Sequence, residues 1–203
     1  MAKLTPTSYV ILGLLSLRSW STYELAQQMR RSIHYYWPRA ESHVYEEPKK
    51  LVAAGFATAT RERVGRRPRT VYAITPAGRA ELRRWVEQPG ALPTLEFEGL
   101  LKVLFAEQAD KRHLLANLSD LRAQAEEARR HHAGLATNLA ETGGPFPGRL
   151  HVNALVFRFM WDHAEMLIRW IDWVEDEVAG WPDDLSSAGD GDPAAILRAA
   201  TQR

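Results

Sequence analysis

The chain has 203 residues, enough for one large domain or two small ones, and no cysteine, which excludes disulfides, thiolate metal sites and cysteine nucleophiles. Hydrophobic residues make up 45% and charged residues 25%, the balance of a soluble globular chain. The net charge of +1 hides a division: residues 1–88 carry 15 Lys and Arg against 7 Asp and Glu, while residues 89–203 carry 11 against 18, so a half suited to a polyanion precedes an acidic half that is not.

In chain order, Pro6 to Leu17 reads as an apolar helix with Val10, Leu14 and Leu17 on one face. Its apolar run is too short to cross a bilayer and lacks a small-residue cleavage site. Ser21 and Thr22 can cap a second helix, Tyr23 to Arg31, with Glu24 in its first turn and Leu25, Met29 and Ile33 as its buried stripe. Ser42 can cap a third helix running to Ala54, with Gly55 at the left-handed position that ends it. Phe56 to Val64 reads as a strand, Gly65 to Pro68 as a turn and Thr70 to Ile74 as the returning strand. Thr75 and Pro76 open a fourth helix that carries Leu82, Trp85 and Val86 inward.

Beyond the break at Gln88 to Thr94 the chain reads as helical. Leu95 to Gln108 forms one helix and Lys111 to Glu141 a long one. In the long helix Leu114, Leu118, Leu121, Ala125, Ala128, His132, Leu135 and Leu139 alternate four and three apart, the spacing of a coiled-coil seam. The stretch Thr142 to Gly148 breaks it. The last helix, about Leu150 to Val178, is apolar in two rows: Leu155, Phe159, Met166 and Trp170, and Phe157, Trp161, Ile168 and Ile171. A helix apolar on two sides must be covered on two sides, and a second copy of the chain is the natural supplier. The expected architecture is mainly α: a winged helix-turn-helix over residues 1–88 with a two-stranded wing, a long-helix dimerisation domain over 95–180, and a loosely ordered tail over 181–203 with room for one helical turn.

Three helices followed by a hairpin would place the third helix in a DNA major groove. Ser42, His43, Tyr45, Glu46, Lys49 and Lys50 would be its exposed positions, with Val44, Leu51 and Val52 buried. Lys49 and Lys50 suit phosphates, and His43 and Tyr45 can reach bases or phosphates. Arg61, Arg63, Arg66, Arg67 and Arg69 lie within nine residues and suit the DNA backbone or a narrow minor groove. A solvated hairpin with incidental charge is the competing reading of the wing. Phe157, Trp161 and Trp173 could line an effector pocket between the winged domain and the last helix, or could simply be packing.

Here a resemblance becomes specific. The segments YVILGLLS, STYELAQQM, WPRAESHVYEEPKKLVAAGFA and VGRRPRTVYAITPAGRAELRRWV follow one another as in the PadR family of transcriptional regulators, so residues 4–88 resemble its winged domain. The C-terminal helices, with MLIRWIDWVEDE, are similar to the dimerisation region of the subgroup related to virulence activators. The resemblance implies a dimer that represses by covering a promoter and is released by an effector. It implies that Tyr45 contacts the DNA backbone and that Lys49, Lys50, Arg66 and Arg67 are DNA-binding. Two positions depart from the pattern: Thr22 stands where many relatives have glycine, and Pro48 stands in the third helix where an apolar residue is usual. Pro48 removes an intrahelical hydrogen bond and can kink or tighten the helix, which leaves the register of base contacts open.

Readings of other classes are weaker. No Gly-rich phosphate loop or GxSxG supports an enzyme. His131 and His132 are adjacent on a helix and point about 100° apart, which disfavours joint chelation; His132 reads as a polar specifier in the seam, although His151 or His163 could complete a metal site. A protein adaptor that kept the fold and lost DNA is opposed by the arginine wing. The expectation is therefore a cytoplasmic, non-enzymatic regulator without cofactor or metal, whose partners are double-stranded DNA, a second copy (through Leu114, Leu118, Leu121, Leu135, Leu139, Leu155, Phe159, Met166 and Trp170) and a small-molecule effector.

Overall fold

The computed structural model describes residues 4–38, 43–64, 67–187 and 192–199, with backbone alone at 64, 67 and 187. The chain divides into two compact units, Met1–Pro93 and Thr94–Arg203.

The first unit opens with α1 (Pro6–Leu17), started by Thr5, whose hydroxyl accepts from the Ser8 amide while the Ser8 hydroxyl accepts from the Thr5 amide. The helix buries Ile11, Leu12, Leu14 and Leu15, with Val10 and Leu17 only half-buried. It is wider-faced than its periodicity suggested because it packs against three neighbouring elements of the unit. β1 (Trp20–Ser21) follows and pairs antiparallel with a later strand, Trp20 beside Tyr72 and Ser21 beside Val71. The expected two-stranded hairpin is thus a three-stranded sheet. Two residues carry no readable alternation, so sequence alone offered no sign of β1.

α2 (Thr22–Gln28) is capped by Ser21 and Glu24, each bonding the other's backbone N–H. It widens into a single π turn, Met29–Ile33, where the His34 amide reaches the Met29 carbonyl at 2.9 Å. Leu25, Met29 and Ile33 are buried as the stripe predicted. The third helix is interrupted. The His43 carbonyl accepts from the Glu46 and Glu47 amides in a separate turn, and regular helix α3 spans Glu47–Ala53. Pro48, second in α3, has no N–H to give to Val44, so the ladder breaks there. Ser42, expected to cap this helix, lies outside the described residues. Gly55 closes α3 with φ +78°, a conformation that favours glycine.

β2 (Ala57–Val64) and β3 (Arg67–Ile74) pair over eight positions, from Ala57 with Ile74 to Val64 with Arg67. Arg67, Pro68 and Arg69 belong to the strand, not the turn. Pro68 is tolerated because β1 flanks β3 only at residues 71 and 72, so the other side of Pro68 needs no donor. α4 (Pro76–Val86) starts at Thr75, which accepts from Gly78. A Cβ at Gly78 would run into the Phe56 carbonyl oxygen. Trp85 and Val86, expected inward, are exposed: Trp85 lies flat on Tyr9 with ring centres 4.7 Å apart, and Val86 falls in the last turn.

In the second unit the helix expected from Leu95 starts at Glu98. It divides into α5 (Glu98–Leu104) and a tight turn, Ala106–Gln108, because Phe97 is extended and Phe105 leaves helical geometry. α6 (Lys111–Thr142), capped by Asp110, and α7 (Leu150–Ala179) form an antiparallel hairpin. Arg122 pairs with Asp172 and Glu175, and Arg129 with Glu165, across it. Leu114 and Leu118 pack on Ile171, Val174 and Val178 of the same chain. This half of the seam is therefore covered internally, not by a second copy. The tail was expected to be loose from Trp181, but its first residues are packed: Leu185 is buried in the same core, the Lys111 amide bonds the Asp183 carbonyl, and Lys111 Nζ caps the α7 end through the carbonyls of Ala179 and Trp181. A short helix, α8 (Pro193–Ala199), follows.

Candidate nucleic-acid interface

The segment from His43 to Ala53 alternates between anchor and surface. Val44, Glu47, Pro48 and Leu51 are buried, whereas His43, Tyr45, Glu46, Lys49 and Lys50 are exposed, and Val52 is half-buried. The anchor is partly ionic. Glu47 is 3% exposed, accepts from the Ser8 hydroxyl at 2.6 Å and from Lys50 Nζ at 2.7 Å, and so ties the segment to α1. Burial pushes its carboxyl up, but the bonds from Lys50 and Ser8 outweigh burial and hold it below the ordinary carboxylate value. Lys49 is drawn to Glu46 at 2.8 Å. Hydrogen bonds donated to these carboxylates raise both lysines, which remain cations beside the exposed Tyr45.

On the wing, antiparallel register sorts the arginines by face. Arg61 and Arg63, opposite Thr70 and Pro68, share one side. Arg69 stands opposite Glu62 on the other and binds its carboxylate through Nε and Nη2 at 3.1 and 2.9 Å. The five arginines therefore do not form one uniform tip. Arg66 lies outside the described residues, and the side chain of Arg67 does too. The sequence reading passed over the exposed Arg30 and Arg31 of the π turn, followed by the exposed aromatics Tyr35, Tyr36 and Trp37. A basic pair ahead of the run His34 to Trp37 was the available signal.

In the second unit, a groove of about 450 Å³ lies between α6 and α7 near their connection. His132, Leu139, Leu150, Phe157, Arg158 and Trp161 are among its walls. Trp173, grouped with them from sequence, is on a different, exposed part of α7. His132 is buried; burial, then the charges of His131 and His163, pushes its imidazole below the usual histidine value. Of the residues assigned to dimerisation, Leu114 and Leu118 are buried within the chain, while Leu121, Leu135, Leu139 and Trp170 are half-buried. Leu155, Phe159 and Met166 stand out from α7, Leu155 being 73% exposed and Phe159 58%. Among the described residues no three His, Asp or Glu are grouped to hold a metal ion, and no helix is long and apolar enough to cross a membrane.

Residues 11–84 match the model of the transcriptional regulator PadR-like family, and residues 98–179 match that of the virulence activator alpha C-terminal region. The chain is 31% identical to the negative transcriptional regulator PadR of Bacillus subtilis over 134 residues, 59% of this chain and 72% of that protein. Its fold is similar to the crystal structure of Bacillus subtilis PadR in complex with operator DNA, with a TM-score of 0.73 at 22% identity over 84% of this chain and 98% of the other. The structure of the same regulator with p-coumaric acid gives 0.69 at 21% identity, over 87% and 99%.

Proposed function

Because the chain belongs to the PadR-like family of transcriptional regulators, we propose that it acts as a homodimeric repressor on a pseudo-palindromic operator and is released by a small-molecule effector. The observation that carries this reading is the solvent-facing set His43, Tyr45, Lys49 and Lys50 on a segment whose other face is locked into the first unit. That is how a recognition helix is presented to a major groove. Lys49, Lys50, Arg61 and Arg63 supply the phosphate attraction, with Ser42, Arg66, Arg67 and Arg69 completing the assigned set. Leu155, Phe159 and Met166 provide an apolar face for the second copy. The α6–α7 groove, with Phe157 and Trp161, is the proposed effector site, and its occupation would alter the hairpin through which the copies meet.

The reading is tested by anisotropy titration against DNA from upstream of the protein's own gene, and against random DNA, at two salt concentrations. Specific binding that weakens with salt supports it; equal, weak binding to both DNAs sinks it for that site. Replacing Arg61 and Arg63 together by alanine is expected to lower affinity for both DNAs alike and to reduce the salt slope by about 2.

A further inference from the structure

Glu46 and Glu47 are adjacent, yet the fold treats them oppositely. Glu47 is consumed internally by Ser8 and Lys50. Glu46 projects from the turn ahead of α3 with its side chain 64% exposed, between the exposed Tyr45 and Lys49, and is held by Lys49 Nζ at 2.8 Å. It therefore sits in the N-terminal part of the recognition segment, the part of such a helix that meets base edges. A carboxylate in that place repels the phosphates on either side of the groove. Lys49 offsets that charge and fixes the carboxylate in one orientation, leaving oxygen lone pairs able to accept. Carboxylates read one base edge in the major groove well, the N4 amino group of cytosine; adenine also offers an amino group there, but sets the N7 acceptor beside it.

We propose that Glu46 is a specificity-determining residue, its Lys49-braced carboxylate accepting a hydrogen bond from the N4 amino group of one cytosine in each half-site. This rests on the reading of His43 to Ala53 as the segment that enters the major groove. Lys49 then has two roles, holding Glu46 and attracting the nearby phosphate. The assignment gives Glu46 a signature opposite to that of a phosphate contact. Removing it discards sequence preference while leaving affinity for random DNA equal or higher, because a negative charge has left the interface.

The test is selection of sites from a randomised duplex library by full-length wild type, Glu46→Ala and Glu46→Gln, followed by titration on the selected duplex and on random DNA. Wild type is expected to fix a C·G pair at one position of each half-site. Glu46→Ala is expected to lose the preference at that position alone, binding the wild-type site about 10- to 100-fold more weakly with random-DNA affinity undiminished. Glu46→Gln, which keeps one acceptor oxygen but loses the charge and gains a donor, is expected to weaken the cytosine preference and to admit adenine at that position. Matching thermal melts show that the variants fold, as an exposed position should allow. An unchanged consensus in Glu46→Ala, or a wild-type consensus with no fixed C·G pair, overturns the Glu46 assignment alone. A wild type that selects no sequence overturns the DNA-recognition reading and this assignment with it.

Discussion

At the residue scale the most consequential side chain is Glu47, a buried carboxylate seated between Ser8 and Lys50. Sequence placed it in the third helix but gave no reason to bury it, because its partner Ser8 lies 39 residues away. Replacing Glu47 by alanine removes the 2.6 Å acceptor of the Ser8 hydroxyl and leaves it the longer contact to Thr5 Oγ1 at 3.1 Å, and the expected cost is about 1–2 kcal/mol of stability. Urea denaturation at pH 7 measures it, and an unchanged midpoint would refute the anchoring role. The neighbouring lysines look interchangeable in sequence. In the fold Lys50 reaches the buried Glu47 and Lys49 the exposed Glu46, a difference that follows from which side of the segment faces α1.

At the scale of elements, caps were legible, and so was the break at Pro48, but the π turn after α2 and the break at Phe105 were not. Ser21 with Glu24, and Thr75 with Pro76, start helices where local chemistry says they should. Bonds from the Ser21 hydroxyl and amide, assisted by Arg18 against the effect of burial, bring the Glu24 carboxyl from 4.5 to about 2. Its folded value is lower than its unfolded value, so its contribution is complete above about 4.5 and is lost as pH falls toward about 2. Glu24→Gln is therefore expected to flatten the fall in urea midpoint between pH 5 and pH 3, and an unaltered slope would contradict the cap's part in it. The histidine of the α6–α7 hairpin acts in the same direction at higher pH. His132 is pushed below its ordinary 6.5, chiefly by burial, so the unfolded chain takes up its proton first and stability falls as pH drops below that value. The end of the hairpin depends on Leu185, which the polar stretch after Trp181 concealed. Leu185→Ala is expected to destabilise the second unit by about 2–3 kcal/mol, read by thermal melting; a change near zero would return this segment to the status of a loose tail.

At the scale of the whole molecule, the charge division of the sequence falls close to the division of the structure, a basic first unit and an acidic second. The apolar rows of α7 were legible too, but their allocation was not. The chain's own α6 takes the row through Ile171, Val174 and Val178, and leaves Leu155 and Phe159 outside. If the proposed dimer forms through this face, replacing Leu155 and Phe159 together by serine is expected to shift it to monomer in sedimentation or light scattering while each chain retains its helicity. A double variant that remains dimeric would move the interface elsewhere.

The sequence by itself determined the order of the main helices and of the hairpin strands, most helix starts, the glycine that ends the third helix and the kinship with a family of winged regulators. Each is written in local patterns: capping side chains, periodicity and the residues of a motif in order. Tertiary structure alone decided that β1 joins the sheet, that Glu47 is an internal brace while Glu46 faces solvent, and that half of an apparent intermolecular seam closes within one chain. Those outcomes depend on which surfaces meet across tens of residues, and an apolar or charged position in sequence states only that a partner is needed, not which segment supplies it.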